Sequence, residues 1–385
     1  MAVKLICVAG ARPNFMKLAP LLRLLREDPE FHVVLVHTGQ HYDDKMSGQF
    51  FADLGLPTPD YNLEVGSGSH AQQTAEIMKR FEPVVLGEKP AAVLVVGDVN
   101  STMACALVAA KLQIPVIHVE SGLRSFDRSM PEEINRVMTD AIAGVLLVTE
   151  ESGRHNLLAE GISSDRIHLV GNLMIDTLLL QAERASHSNI LSRLNVNGKP
   201  FGLVTLHRPA NVDEPGQLME ILEALSAIAA EAPLYFPVHP RTRARLESSG
   251  FSAAGMRLID PLGYLDFLCL MSHSSIVLTD SGGIQEETTA LGIPCLTLRD
   301  NTERPVTVDE GTNIVAGTRK STILAAWEQM KNAPKRGRIP RFWDGHAAER
   351  CLSVLRSYFC LDEELNWSGR AASGNALPSA DSKSR

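Results

Sequence analysis

The sequence predicts two doubly wound α/β domains of Rossmann-like type, each a parallel sheet with helices on both faces. Three observations carry this expectation. The chain has 385 residues, beyond the size at which a single hydrophobic core keeps growing. Short apolar runs alternate with helix-length amphipathic segments, and within the runs apolarity is continuous rather than alternating, as strands covered on both faces require. The whole pattern occurs twice, on either side of a polar stretch at 186–199.

In the first series Lys4–Ala9, His32–Val36, Ala92–Val96, Pro115–Val119 and Val145–Val148 read as buried strands. The second series is Gly202–Leu206, Leu234–Val238, Met256–Ile259, Ile276–Thr279 and Pro294–Thr297. The chain is expected to cross between domains near Gly171–Asp176, giving domains at 1–172 and 173–365, with a last helix near Gly345–Ser357 returning to the first domain. Residues 366–385 are rich in Ser, Ala, Asn and Gly without apolar period, and read as a disordered tail. In open sheets of this kind ligands sit beyond the carboxyl ends of the strands, so the cleft between the domains is the expected site.

A hydrophobic fraction of 44% and a charged fraction of 21% are ordinary for a globular enzyme. Apolar runs such as the one at 91–96 are far shorter than the roughly 20 residues of a membrane span. The apolar start breaks at Gly10-Ala11-Arg12-Pro13 and fits a first strand better than a signal peptide. Six scattered cysteines without metal-site spacing suit a reducing cytoplasm and argue against a structural metal. A net charge of −8 disfavours nucleic acid and anionic membranes as partners, while a local cationic cluster can still bind an anionic small molecule.

The candidate site residues fall at strand ends. After the first strand, Gly10 and Pro13 place a helix N-terminus beside Arg12 and Lys17, an arrangement that attracts anions, though it also fits an ordinary strand-to-helix turn. Thr279-Asp280-Ser281-Gly282-Gly283 ends another strand, so that backbone N–H groups at Ser281, Gly282 and Gly283 can approach phosphate oxygens closely. One turn later Glu287 is placed to accept from ribose hydroxyls, with Glu286 expected on the surface. Asp98 and Glu120 end two buried strands at the cleft. Glu132 opens a helix and equally fits an i,i+4 ion pair with Arg136. His207, Arg208 and His239 end strands of the second series, positions suited to proton transfer or phosphate contact. His37 and His41 lack a carboxylate to complete a metal pair. Neither a P-loop nor a GxGxxG after the first strand is present, which disfavours an NTPase or a dinucleotide oxidoreductase.

Taken together and in order, Gly10–Pro13, Gly97-Asp98, His118–Arg124, Pro131–Arg136, His207-Arg208, Asp280–Glu287 and Thr302–Pro305 resemble the non-hydrolysing UDP-N-acetylglucosamine 2-epimerases, from about Lys4 to the last helix. The resemblance implies a glycosyltransferase-B-like pair of Rossmann-type domains, commonly a homodimer, with the active site between them and no cofactor. It assigns catalysis to Asp98, Glu120, Glu132 and His207. Contacts to a UDP-sugar fall to Arg12, Ser281, Gly282, Gly283 and Glu287, with His239 and Arg304 nearby. The sequence departs from the family at Tyr42-Asp43 and Gly66–His70, where many bacterial members bind a second, activating UDP-sugar. That segment is similar to the branch acting on UDP-2,3-diacetamido-2,3-dideoxy-glucuronic acid, whereas Thr302–Pro305 favours the simpler sugar. A retaining glycosyltransferase would share the fold.

Overall fold

A computed structural model describes residues 2–39, 55–238, 242–243, 246 and 255–361. The expected tail, His41 and His239 lie outside these residues.

Two parallel sheets dominate. The first contains β1 (Val3–Ala9), β2 (Phe31–His37), β3 (Tyr61–Asn62), β4 (Ala92–Val96), β5 (Val116–Ser121), β6 (Val145–Val148) and β7 (Ile167–Leu169). Their spatial order is β3-β2-β1-β4-β5-β6-β7. The second contains β8 (Gly202–Thr205), β9 (Leu234–Pro237), β10 (Met256–Ile259), β11 (Ile276–Thr279), β12 (Cys295–Thr297) and β13 (Asn313–Val315), in the order β10-β9-β8-β11-β12-β13. In both, the chain winds outward from a central strand in one direction and then the other, so each sheet has a switch point, at β1/β4 and at β8/β11. The expected strands are present within a residue or two of their apolar runs. The edge strands β3, β7 and β13 have two or three residues each, too few to stand out as apolar periods.

The helices are α1 (Arg12–Glu27), α2 (His70–Glu88), α3 (Asn100–Lys111), α4 (Pro131–Ile142), α5 (Glu151–Ala159), α6 (Leu173–Ser186), α7 (Ile190–Arg193), α8 (Pro209–Val212), α9 (Pro215–Ala229), α10 (Tyr264–Ser272), α11 (Gly282–Leu291), α12 (Pro305–Asp309), α13 (Lys320–Asn332) and α14 (Ala347–Tyr358). Local chemistry sets several ends. Pro13 occupies the first turn of α1. Ser69 and Gln72 form a reciprocal capping box on α2. Gly292 closes α11 in the left-handed conformation.

Helix α6 joins the halves and packs against α1, α10, α11 and α14. One apolar cluster therefore runs from Leu18 and Leu22 of α1 through Ile175 and Leu178 of α6 to Leu268 of α10 and Leu355 of α14. Truncating fully buried Leu178 to Ala is expected to cost about 2–5 kcal/mol. The chain returns to the first half near Phe342. There, a Cβ added to Gly171 would overlap the Phe342 carbonyl oxygen, so the two crossings touch. The Asp176 carboxylate accepts from the N–H groups of Ala347 and Ala348 at 3.1 and 2.7 Å and caps α14. Arg356 of α14 then reaches Asp28, at the end of α1, at 2.7 Å.

Candidate active site

The carboxyl ends of the two sheets face one another across a cleft of about 370 Å³. A wider groove of about 540 Å³ lies beside α1 and α6. No strand end among the described residues opens into it, and its cations Arg23 and Arg26 sit near Glu27 and Asp60.

The first wall grows from β1, β4 and α4. Asn14 organises the start of α1: its side-chain oxygen accepts from the Ala11 N–H at 2.9 Å, and its amide donates to the Val96 carbonyl at 2.9 Å. The first turn of α1 is thereby fixed to β4, with Arg12 and Lys17 lining the cleft. At the end of β4, Gly97 has φ +68°, and a Cβ there would meet Glu120 Oε2 at 3.2 Å, so only glycine fits comfortably. Asp98 follows and lines the cleft, its carboxylate 2.5 Å from Arg136 Nη2. Burial works to raise the Asp98 pKa, but Arg136, Lys17 and Arg304 outweigh it and hold the group below the usual carboxylate range.

Adjacent glutamates at the start of α4 divide their tasks. Glu132 lines the cleft. Glu133 is buried and accepts from the N–H groups of Ser125 and Phe126 at 2.9 and 3.0 Å and from Arg136 at 2.8 Å. Arg136 thus joins Asp98 and Glu133, rather than forming the expected i,i+4 pair with Glu132. Its carboxylates are three and thirty-eight residues away in sequence.

Glu120 differs from the expected position at the cleft rim. It sits in a bulge of β5, where the register with β6 shifts, with φ +66°, a strained value for a side chain this large. Its carboxylate is buried behind the cleft wall, paired with Lys17 and, at 3.0 Å, with Arg304 Nη2.

The second wall grows from β8, β11 and α11. The Asp280 carboxylate is fully buried and accepts from the backbone N–H groups of His207 and Arg208 at 3.1 and 3.0 Å. It also lies 2.8 Å from His207 Nδ1. Burial pushes the Asp280 pKa up, but the contacts with His207 more than reverse this and hold it low. The His207 side chain remains 64% exposed, leaving its other ring nitrogen open to the cleft.

Ser281 is the N-cap of α11, yet its side chain makes no capping bond, so it leaves the N–H groups of Gly282 and Gly283 unclaimed, while the Ser281 N–H donates to Thr279 Oγ1 at 3.0 Å. A Cβ on Gly282 would fall 2.5 Å from Arg304 Nη1, which explains the missing side chain there. Glu287 is buried and accepts from the Tyr264 hydroxyl at 3.3 Å. Burial pushes its pKa up to about 8.

Glu286, expected on the surface, is fully buried, 2.8 Å from Arg304 Nε. Arg304 also meets Glu303 at 2.7 Å. Glu303 gathers Arg208 and Arg299 as well, at 3.2 and 2.8 Å. Burial raises the Glu303 pKa, but these cations drive it well below the usual range.

The site thus unites Arg12, Lys17, Asp98, Glu132, His207, Arg208, Ser281–Gly283, Glu287 and Arg304 in one cleft, with Glu120 immediately behind. Sequence reasoning gave no role to Asp280, Glu303, Tyr264 or the buried His118–Asp140 pair, whose Nδ1···Oδ1 distance is 2.6 Å. Asp280 and Glu303 lie within the matched motifs, where their neighbours drew attention instead.

Residues 23–356 match the family model described as UDP-N-acetylglucosamine 2-epimerase. The chain belongs to this family. It is an enzyme with the two-sheet architecture of the family's solved structures. It is 43% identical over 364 residues to the UDP-N-acetylglucosamine 2-epimerase of Methanocaldococcus jannaschii, covering 92% of this chain and 99% of the relative. A crystal structure of an M. jannaschii family member, in complex with UDP-GlcNAc and UDP, superposes with a TM-score of 0.86 at 42% identity, covering 92% of this chain and 100% of that one. The UDP-2,3-diacetamido-2,3-dideoxy-D-glucuronate 2-epimerase of Pseudomonas aeruginosa is 42% identical over 325 residues, covering 84% and 90% of the two chains. No helix among the described residues is long and apolar enough to cross a membrane.

Proposed function

We propose that the protein interconverts UDP-N-acetylglucosamine and UDP-N-acetylmannosamine, a polysaccharide precursor, by eliminating UDP and adding it back through 2-acetamidoglucal. The observation that carries this reading is the division of the cleft. Carboxyls Asp98 and Glu132 stand on one wall, and His207, Arg208, Arg304 and a helix mouth stand on the other. The relatives' names support the same substrate.

Carbon 2 of a hexosamine has no adjacent carbonyl, so its proton leaves only as the C1–O bond breaks. The C2–H electron pair becomes the C1=C2 double bond, the proton passes to a carboxylate, and the C1–O pair departs with the β-phosphate of UDP. One well-placed donor contributes about 2.7–4 kcal/mol and a helix end about 0.3–2, against a typical enzymatic lowering of roughly 8 or more. Several groups must therefore act together, and Arg12, His207 and the Ser281–Gly283 helix mouth are the set that holds departing UDP. Asp98 and Glu132, which line the cleft, and Glu120, whose carboxylate lies just behind it against Lys17 and Arg304, supply the base and, from the opposite face, the acid that reprotonates C2 when UDP returns. No metal or nicotinamide enters this scheme.

Incubation with UDP-N-acetylglucosamine in deuterated water tests it. Deuterium at C2 together with the manno product is expected. No exchange without an added acceptor would instead favour a glycosyltransferase, and free N-acetylmannosamine would mark a hydrolysing enzyme.

The diacetamido-glucuronate is the second reading, favoured by the P. aeruginosa relative. Its extra carboxylate needs a cation, and among the described residues Lys17, Arg136, Arg208, Arg299 and Arg304 each already face a protein carboxylate. That pattern favours the uncharged sugar. The ratio of kcat/KM for the two substrates decides between them.

We also infer a homodimer in the cytoplasm. Helix α4 turns Glu133, Asn135, Arg136, Thr139 and Asp140 inward and leaves Ile134, Met138 and Ile142 exposed, the reverse of a solvent-facing helix. A second copy of this chain fits such a stripe. Six unpaired cysteines, five of them buried, fit a reducing compartment.

A further inference from the structure

Arg304 is shared by carboxylates from both halves of the molecule. Its Nη2 lies 3.0 Å from Glu120 of β5, and its Nε lies 2.8 Å from Glu286 of α11. The two carboxylates are not equally well served. Glu120 has a second cation in Lys17. Glu286 is fully buried, and neither of its oxygens makes a hydrogen bond of good geometry, so Arg304 is the cation it depends on. A buried carboxylate left this bare costs free energy unless it holds its counter-ion closely or takes up a proton.

Glu286 does not line the cleft, so it is outside the set that meets UDP or sugar. We propose that Glu286 is a positioning residue for Glu120, acting through the Arg304 guanidinium they share. The inference rests on the reading of Glu120 as one of the proton-transfer carboxyls. When Glu286 is ionised it draws part of the guanidinium charge to itself and adds a repelling negative charge behind Glu120. Both effects make Glu120 a stronger base. When Glu286 is neutral, Arg304 belongs to Glu120 and weakens it.

The groups facing Glu286 make the balance responsive. Arg304 and Lys17 favour its charged form, Glu120 disfavours it, and burial, the largest influence, raises its pKa. From the β6–α5 junction Glu150, itself buried and with one oxygen lacking a hydrogen bond, opposes ionisation of Glu286 whenever it is itself ionised. Along α11, Glu287 does the same. Glu286 therefore titrates together with Glu150 and Glu287 rather than singly.

The test compares wild type with Glu286→Gln and Glu286→Asp, using pH profiles of C2 deuterium exchange from UDP-N-acetylglucosamine and calorimetric UDP binding. Glu286→Gln is expected to bind UDP within about twofold of wild type, to lose about tenfold in kcat, and to shift the acid limb of kcat/KM to lower pH. Glu286→Asp keeps the charge at a shorter reach and is expected to fall between the two. If Glu286→Gln does not fold, the Asp variant carries the test alone. An acid limb that stays in place in the folded variants overturns the proposal, as does a loss of UDP affinity matching the loss of rate. Wild type that exchanges no deuterium at all overturns the epimerase reading itself, a result distinct from an unmoved limb.

Discussion

Asp280 grips His207 at two points, lying 2.8 Å from the imidazole Nδ1 and accepting the backbone N–H of the same residue at 3.1 Å. A carboxylate in this position fixes the ring's orientation and leaves the other ring nitrogen to meet the departing diphosphate. Replacing Asp280 by Asn keeps the backbone contact but removes the charge. We expect kcat to fall by about 10²-fold with UDP affinity nearly kept. Rapid-quench measurement of UDP release in a single turnover checks this, and unchanged release would remove His207 from the leaving-group role.

Asp98→Asn tests the opposite wall. Arg136 retains Glu133 at 2.8 Å in this variant, so no buried charge is stranded and the cost in stability is expected to be about 1 kcal/mol. Turnover should nevertheless be lost while UDP binding persists. A variant that still exchanges C2 deuterium at nearly the wild-type rate would show that Asp98 is not one of the proton-transfer groups.

Glu150 gives a pH dependence with a definite sign. Burial raises its pKa from 4.5 to about 8. A carboxyl raised in the folded state binds more protons there than in the unfolded chain. Its contribution to stability is therefore full below pH 4.5 and is lost as pH rises towards about 8. Glu150→Gln removes this loss. Calorimetric melting across that range should show a shallower alkaline decline in Tm for the variant, with a gain of roughly a few degrees near the alkaline end. Parallel curves for both proteins would contradict the assignment.

The exposed stripe on α4 predicts an oligomer. Met138→Glu is expected to yield monomers by light scattering while leaving the melting behaviour of each subunit nearly intact, since Met138 is 45% exposed in the single chain. A wild-type protein that is monomeric at micromolar concentration would dispose of the dimer.

The fold was legible because strands buried on both faces leave continuous apolar runs, and the site because such strands end at the cleft. Asp98, His207 and the glycines after β11 could be located on that ground alone. Choosing between adjacent residues on a helix was harder. Neighbours on a helix point about 100° apart, so knowing that α4 or α11 begins near the cleft does not decide which of two glutamates turns inward. Glu132 faces the cleft and Glu133 the interior. In α11 both Glu286 and Glu287 are buried, because Arg304 and Tyr264 come from elsewhere in the chain to receive them. The Arg304–Glu120 pair spans 184 residues and leaves no local trace. Nor does composition announce that β5 bulges at Glu120 and withdraws its side chain from the rim.

The contact of Gly171 with Phe342 has a mechanical meaning. Where a chain passes once between two bodies, the joint can swivel as well as bend. Here the outgoing and returning passages lie against each other, pinned by Asp176 at the mouth of α14. Such a joint resists torsion more than a single passage would, and it confines any bending to one line. The walls carrying Asp98 and His207 are thereby kept in one alignment.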